Sequence, residues 1–276
     1  MPEISTLIDD IYHILDGETD HECNEEFLEV AAEHLKNLLR NHLAKQDRKG
    51  SIRFSSLGKP DCQVWYGINK PEAAEPISPE TRMKFLYGDV LEMLMLFLAK
   101  EAGHNVSQEQ AEVSHDGVLG HIDAIIDDHV VDVKSASAYS FRKFQEDWTG
   151  EDDPFGYTAQ LAGYCNVLQK PGYFLAVNKD SGGLALSKLS PDLVGQNPPS
   201  IHIDRQRESV AADAVSRCFT AIPDGKSGNE KLGLQCSYCA YKKDCWPGLR
   251  IFNYSGKPRF LTKVEREPNV YEFIDN

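Results

Sequence analysis

The sequence predicts an α/β fold, with a mixed β-sheet flanked by helices. Three observations carry that expectation. Helical spacing of apolar residues gives way to two-residue alternation near position 110. The alternating segments then bracket one more helical segment. Glycine, proline and aspartate clusters punctuate the changes.

The elements follow in order. Ile4–Leu15 and Glu25–Leu43 carry helical spacing, which Gly50 and the Ser55-Ser56 pair break. Gly67 to Pro79 is turn-rich, with Pro71, Pro76 and Pro79. A helix is expected over Glu80–Ala102, stopped by Gly103. Gln110–His115, Val118–Ile126 and Val130–Ser137 read as three short strands. Tyr157–Leu168 reads as a helix, and Tyr173–Asn178 and Leu184–Leu189 as strands around the Ser181-Gly182-Gly183 turn. Arg207–Ala221 reads as helical and the C-terminal stretch as irregular.

Composition narrows the class. A chain of 276 residues suits one large domain or two small ones. Apolar residues make up 41%, enough for a real core. No apolar run approaches a membrane span, and the acidic start, Met1 to Asp20, lacks the features of a secretory signal. The expectation is a soluble protein of the cytoplasm (of the host cell, for a phage-encoded chain) with no membrane partner. Seven cysteines in that compartment argue for free thiols or metal ligands rather than disulfides.

A net charge of −14 counts at first against a nucleic-acid partner. Its distribution answers part of the objection. Residues 1–35 hold eleven acidic side chains and no Lys or Arg. Directly after them come Lys36, Arg40, Lys45, Arg48, Lys49, Arg53 and Lys59, against the single acid Asp47. Local field, rather than total charge, decides whether such a stretch meets phosphates. For any one of these lysines a solvated helix face is the simpler account.

The chemistry-bearing residues sit in the strand region. Asp127-Asp128 suits a two-residue turn between Gly120–Ile126 and Val130–Lys134. A hairpin symmetric about that turn sets Asp123 opposite Asp132 and His121 opposite Lys134. Asp132 and Lys134, two apart, share a face. Two facing carboxylates repel unless a cation lies between them, and hard oxygen ligands suit Mg²⁺ or Mn²⁺. Glu92 adds a third acid from an apolar helix, where an unpaired buried carboxylate is costly. The simpler placement for Glu92 is the thin polar side of that helix, beside Asp89.

Asp123 followed by Asp132-Val133-Lys134 resembles the catalytic signature of the PD-(D/E)XK nuclease superfamily. Gly88-Asp89-Val90-Leu91-Glu92 resembles the helical element before that core, and Gln160-Leu161-Ala162-Gly163-Tyr164 the Gln-x-x-x-Tyr element of its RecB-like branch. Many RecB-like members carry His where Glu92 stands; Glu there is closer to phage exonucleases of the lambda type. The resemblance implies a restriction-endonuclease-like core. It implies metal held by Glu92, Asp123, Asp132 and the Val133 carbonyl. Lys134 would orient or deprotonate the attacking water or neutralise developing charge, and Gln160 and Tyr164 would position Lys134 and the strand. For Tyr164 the plain alternative is a core aromatic, and for Gln160 a surface amide.

Cys236, Cys239 and Cys245 form C-x₂-C-x₅-C, a spacing that in a reducing compartment usually binds metal. A fourth thiolate would come from Cys62, Cys165, Cys218 or Cys23. Spacing alone leaves a 4Fe–4S cluster and a structural Zn²⁺ site both open. Iron–sulfur members of the RecB-like branch, the AddB nuclease domain and CRISPR adaptation nucleases, place one cysteine before the core and three after it. Ser55-Ser56-Leu57 and Trp65-Tyr66 around Cys62, and Tyr241-Lys242 after Cys239, resemble those flanks. That resemblance selects Cys62 and favours iron, leaving Cys23, Cys165 and Cys218 as free thiols. The cluster would act as a structural staple. Nearby Lys242, Lys243, Lys257, Arg259 and Lys263 are candidate phosphate contacts.

The expected division is an acidic helical region over 1–49, a nuclease domain closed by the cysteine cluster over 50–247, and a tail over 248–276. The expected activity is metal-dependent hydrolysis of DNA phosphodiesters by an exonuclease acting on single strands or DNA ends. A site-specific endonuclease and a non-catalytic DNA-binding or assembly module with structural zinc are the alternatives. A homo-oligomer, or a recombination or CRISPR-type protein partner, fits the same resemblance.

Overall fold

A computed structural model describes residues 2–17, 20–44 and 50–273. In chain order the first elements are α1 (Leu7–Leu15), α2 (Glu25–Leu43), α3 (Asp61–Asn69) and α4 (Pro79–Glu101). Then come β1 (Val106–Ser107), β2 (Glu112–His115), β3 (Val118–His121), β4 (Ala124–Ile126) and β5 (His129–Ala136). Next are α5 (Ala138–Phe141), α6 (Tyr157–Leu168), β6 (Gly172–Asn178), β7 (Leu184–Lys188), α7 (Pro191–Gln196) and α8 (Pro199–Ala211). The last are β8 (Ile222–Pro223), β9 (Glu230–Lys231), α9 (Leu234–Ser237), α10 (Lys242–Cys245), β10 (Arg250–Tyr254), β11 (Lys257–Lys263) and β12 (Glu272–Phe273). The class is mixed α/β, and no helix among the described residues is long and apolar enough to cross a membrane.

The chain forms two compact units. The first takes the described residues of 1–48, 52–58 and 78–203; the second takes those of 49–51, 59–77 and 204–276. This differs from the division expected at 49/50 and 247/248. The N-terminal helices pack into the first unit, and the expected tail pairs into the sheet of the second.

In the first unit the helices begin where the sequence supplies caps. Asn24 accepts the backbone N–H groups of Glu26 and Phe27 at the start of α2. Ser78 accepts from Thr81 at the start of α4, with Pro79 in the first turn. The sheet order is β1-β4-β5-β6-β7; β5 and β6 are parallel and the other neighbours antiparallel. Two-residue alternation sorts the strands between two cores. Val131 and Val133 join Leu175, Val177, α1 and the Met95–Ala99 turn of α4. Val130 and Ala136 join Phe174, Ala176 and the α6 residues Leu161, Ala162 and Cys165. Asp132 and Lys134 have the parity of Val130 and therefore point to the α6 side. Full burial of a side chain such as Leu175 or Phe174 contributes about 1.5–3 kcal/mol.

Three expectations are corrected here. Val118–Ile126 is two strands, because Ile122 donates its N–H to the Ala111 carbonyl and the chain changes ladder there. β3 pairs with β2, so His121 faces Glu112, while Lys134 faces Ala176 of β6. The helix expected over Arg207–Ala221 instead starts at Pro199, a residue suited to a first helical turn, and ends at Ala211.

The second unit carries an antiparallel sheet, β12-β10-β11-β9-β8, where irregular chain was expected. Ser255 and Gly256, with φ of 52° and 80°, close its β10–β11 hairpin. Buried Asp224 is paired by Arg259 at 3.0 Å and Lys231 at 3.1 Å. The stretch around Cys62 is the helix α3, whose Trp65 indole donates to the Ala212 carbonyl at 2.9 Å.

Candidate active site and cysteine pocket

The β4–β5 hairpin has the expected register, with Ala124 facing Val131, Ile125 facing Val130 and Ile126 facing His129. Asp127 and Asp128 turn it with φ of 46° and 69°, the left-handed pair a two-residue turn of this hand requires. Asp123 sits one residue before β4, and its Oδ2 accepts the Val133 N–H at 2.7 Å. Asp132 is 3% exposed, and its Oδ2 faces Lys134. The Lys134 ammonium lies against that oxygen and supplies the counter-charge.

Glu92 belongs to the same site. Its Oε1 accepts the Gln110 side-chain amide at 2.5 Å, and the Gln110 backbone N–H donates to the Asp123 carbonyl at 3.1 Å. Gln110 thus ties the helical acid to the strand acid. It holds a left-handed φ of 52°, which an alternation pattern gives no means of seeing. Burial first, then Asp132 and Asp89, push the Glu92 carboxyl up to about 7. Asp89 lies one turn earlier on α4, with its Oδ2 at 2.6 Å from His42 Nε2 of α2. Asp123 is likewise raised well above the carboxylate range, by burial and then by Asp132 and Glu92.

Burial works to lower the Lys134 ammonium, but Asp132 and Asp123 outweigh it and the net shift is upward. The ammonium also stands 4.8 Å from the centre of the Tyr157 ring, a cation–π contact. Tyr157, Gln160 and Tyr164 lie at helical spacing on α6. Tyr157 was not singled out from sequence, although its place three residues before Gln160 was a usable signal. Gln160 stands one turn before Tyr164 on the same helix face. Tyr164 is 2% exposed, stacks on Phe54 at 4.9 Å and donates its hydroxyl to the His121 carbonyl at 2.8 Å. It therefore acts as a core aromatic that fixes the backbone two residues before Asp123. A Cβ on Gly120 would stand 2.5 Å from Phe54 Cβ and 2.7 Å from the Tyr164 hydroxyl, so the stack needs glycine there.

The donor set fits a hard divalent cation. It offers three mutually repelling carboxylates, and the Val133 carbonyl on the strand that carries Asp132. Among the described residues the oxygens of all three acids do not close to within 4.8 Å of one another. Lys134 balances Asp132 in this arrangement.

The cysteines of the motif gather in the second unit. Cys62, Cys236, Cys239 and Cys245 line one pocket with Tyr66 and Trp246. Tyr66 stacks on Tyr241 at 5.3 Å, and Arg217 lies over Trp246 at 4.1 Å while donating to the Cys245 carbonyl at 2.8 Å. Among the described residues no three of these sulfurs lie within 4.8 Å of one another. Cys218, expected to stand outside the metal set, lines the same pocket. Hydrogen bonding with Cys62 lowers its thiol to about 7, and the same contact, with burial, raises Cys62. Cys165 is core, and burial lifts its thiol to about 12. Cys23 has its sulfur within 4.8 Å of ligand atoms of His21 and Glu101.

Several candidate phosphate contacts are already engaged. Lys36 pairs with Glu33, Lys242 and Lys243 with Glu75, Arg259 with Asp224 and Lys263 with Glu265. Lys45, Arg48 and Lys49, with Asp47, lie outside the described residues.

No family model matches the chain, and no curated protein matches it. A solved structure described as "Crystal structure of SSO0001" is similar at TM-score 0.47 and 18% identity, over 78% of this chain and 95% of that one.

Proposed function

We propose that the chain is a Mg²⁺- or Mn²⁺-dependent deoxyribonuclease of the PD-(D/E)XK superfamily. It belongs to the RecB-like branch, has a restriction-endonuclease-like core, and hydrolyses DNA from single strands or ends in the cytoplasm. The observation that carries this reading is the convergence of three mutually repelling carboxylates, Glu92, Asp123 and Asp132, on the single ammonium of Lys134. Glu92, Asp123, Asp132 and the Val133 carbonyl would hold the cation, which supplies Lewis-acid polarisation of the phosphate. Lys134, kept protonated by Asp132 and Asp123, neutralises charge developing on the phosphate. Tyr157 holds the ammonium from its other side. Gln110 and Tyr164 fix the backbone that presents Asp123. The four motif cysteines would hold a 4Fe–4S cluster as a staple within the second unit.

The test is degradation of linear and covalently closed DNA with Mg²⁺ or Mn²⁺, by wild type, Asp132→Ala and Lys134→Ala. Expected are loss of linear cutting in both variants with folding intact, and resistance of the closed circle to wild type. Retained activity in either variant removes the active-site assignment. Rapid linearisation of the circle makes the enzyme an endonuclease.

A further inference from the structure

The cysteine pocket holds five thiols, one more than the motif and its upstream partner supply. Cys218 is the addition. Its sulfur accepts the Cys62 backbone N–H at 3.1 Å and lies within hydrogen-bonding reach of the Cys62 thiol. No three of the five sulfurs fall within 4.8 Å of one another among the described residues. Cys62 and Cys218 are in contact, and Cys236, Cys239 and Cys245 line the same pocket. Four positions around one pocket are furnished, and one of them is furnished twice.

The doubled position is built on both sides. Cys62 is held in the first turn of α3. Cys218 follows Arg217, whose guanidinium is anchored on the Cys245 carbonyl and the Trp246 ring beside the same pocket. Hydrogen bonds to ligand sulfurs are among the features by which proteins tune iron–sulfur centres. The Cys62 N–H that donates to the Cys218 sulfur at 3.1 Å would be such a bond were Cys218 a ligand.

We propose that Cys218 is a ligand of the same metal centre, sharing one corner with Cys62, so that either thiolate completes the four-sulfur set. The proposal rests on the cluster reading above. Exchange at that corner breaks the iron–sulfur bond to Cys62 and forms one to Cys218. The Cys218 proton passes to the Cys62 sulfur, with no change in electron count and no co-reactant. The centre then survives the loss of either thiol of the pair, but not of both.

The experiment measures iron and acid-labile sulfide per chain, with EPR spectra of the reduced protein. It uses full-length protein purified without oxygen: wild type, Cys62→Ala, Cys218→Ala, the double variant, and Cys236→Ala as the single-occupancy control. Circular dichroism checks folding, and serine replacements stand in for any alanine variant that fails to fold. Expected are about four irons per chain in wild type and in both single variants of the pair, each single variant with its own EPR spectrum. The double variant and Cys236→Ala should fall below that content. Iron lost in either single variant of the pair, or kept in the double variant, overturns the proposal while the cluster reading stands. Iron-free wild type overturns the cluster reading, and this inference with it.

Discussion

Replacing Glu92 by Gln should stabilise the metal-free protein at alkaline pH. Burial and the neighbouring acids lift this carboxyl from an ordinary 4.5 to about 7. The folded state therefore binds the Glu92 proton more tightly than the unfolded chain does. Stability is lost as pH rises from about 4.5 to about 7, and the full deficit is present above that window. Each tenfold in proton affinity corresponds to about 1.36 kcal/mol, so holding the charged carboxylate costs on the order of 3 kcal/mol. Gln carries no charge, and its carbonyl can still accept the Gln110 amide that Glu92 Oε1 accepts. In chelator-treated protein, urea denaturation at pH 8 should find Glu92→Gln more stable by up to ~3 kcal/mol. Near pH 4.5 the gain should shrink to less than ~1 kcal/mol, because the wild-type carboxyl is protonated in the folded state. Added Mg²⁺ should stabilise wild type more than the variant, since a cation bound to the folded state raises stability by mass action. A variant less stable than wild type at pH 8 would refute the reasoning. So would a gain of equal size at both pH values, which would trace the effect to packing instead of charge.

Other substitutions separate chemistry from support. Tyr164→Phe removes the donor to the His121 carbonyl, so stability should fall by about 0.5–1.5 kcal/mol on thermal unfolding while kcat changes less than about tenfold; a large loss of kcat at unchanged melting temperature would make the hydroxyl a reacting group. Tyr157→Leu removes a ring from beneath Lys134, and a contact of about 0.5–2 kcal/mol translates into roughly 2- to 30-fold in kcat, with Tyr157→Phe near wild type. If the phenylalanine variant is as slow as the leucine one, the hydroxyl matters and the cation–π account fails. Gly120→Ala drives a methyl into Phe54 and Tyr164, so calorimetry should show destabilisation of about 1–3 kcal/mol or more.

Where local rules and tertiary structure agreed, the sequence was readable. Asp127-Asp128 between alternating runs led to the β4–β5 register, because both residues accept a left-handed φ and the register follows from the turn. The helices at Glu25–Leu43 and Tyr157–Leu168 fall at the bounds their apolar spacing indicated. Val118–Ile126 misled because its apolar pattern runs through a point where the backbone changes partners, and a tertiary contact, the Tyr164 hydroxyl on the His121 carbonyl, lies at that break. The strands after Arg250 escaped notice because their burial is incomplete and their stabilisation includes ion pairs such as Arg250 with Glu267 and Glu272. Gln110 and Cys218 were assigned to regular elements, a strand over Gln110–His115 and a helix over Arg207–Ala221, because the patterns there run past the ends of β2 and α8; each in fact reaches its partner from a loop.

The acidic site has a plain energetic logic. An apolar side chain in place of Asp132, or a neutral one in place of Glu92, would relieve repulsion that both Glu92 and Asp123 feel. The fold instead surrounds the acids with fixtures. Val133 N–H holds Asp123, Gln110 holds Glu92, and Lys134 balances Asp132 while resting on Tyr157. These contacts leave excess negative charge in place: three carboxylates share one ammonium. In the second unit the balance is reversed, with the buried Asp224 carboxylate meeting two cations, Lys231 and Arg259. On the proposed reading, the charge left over at Glu92, Asp123 and Asp132 is what a divalent cation would bind.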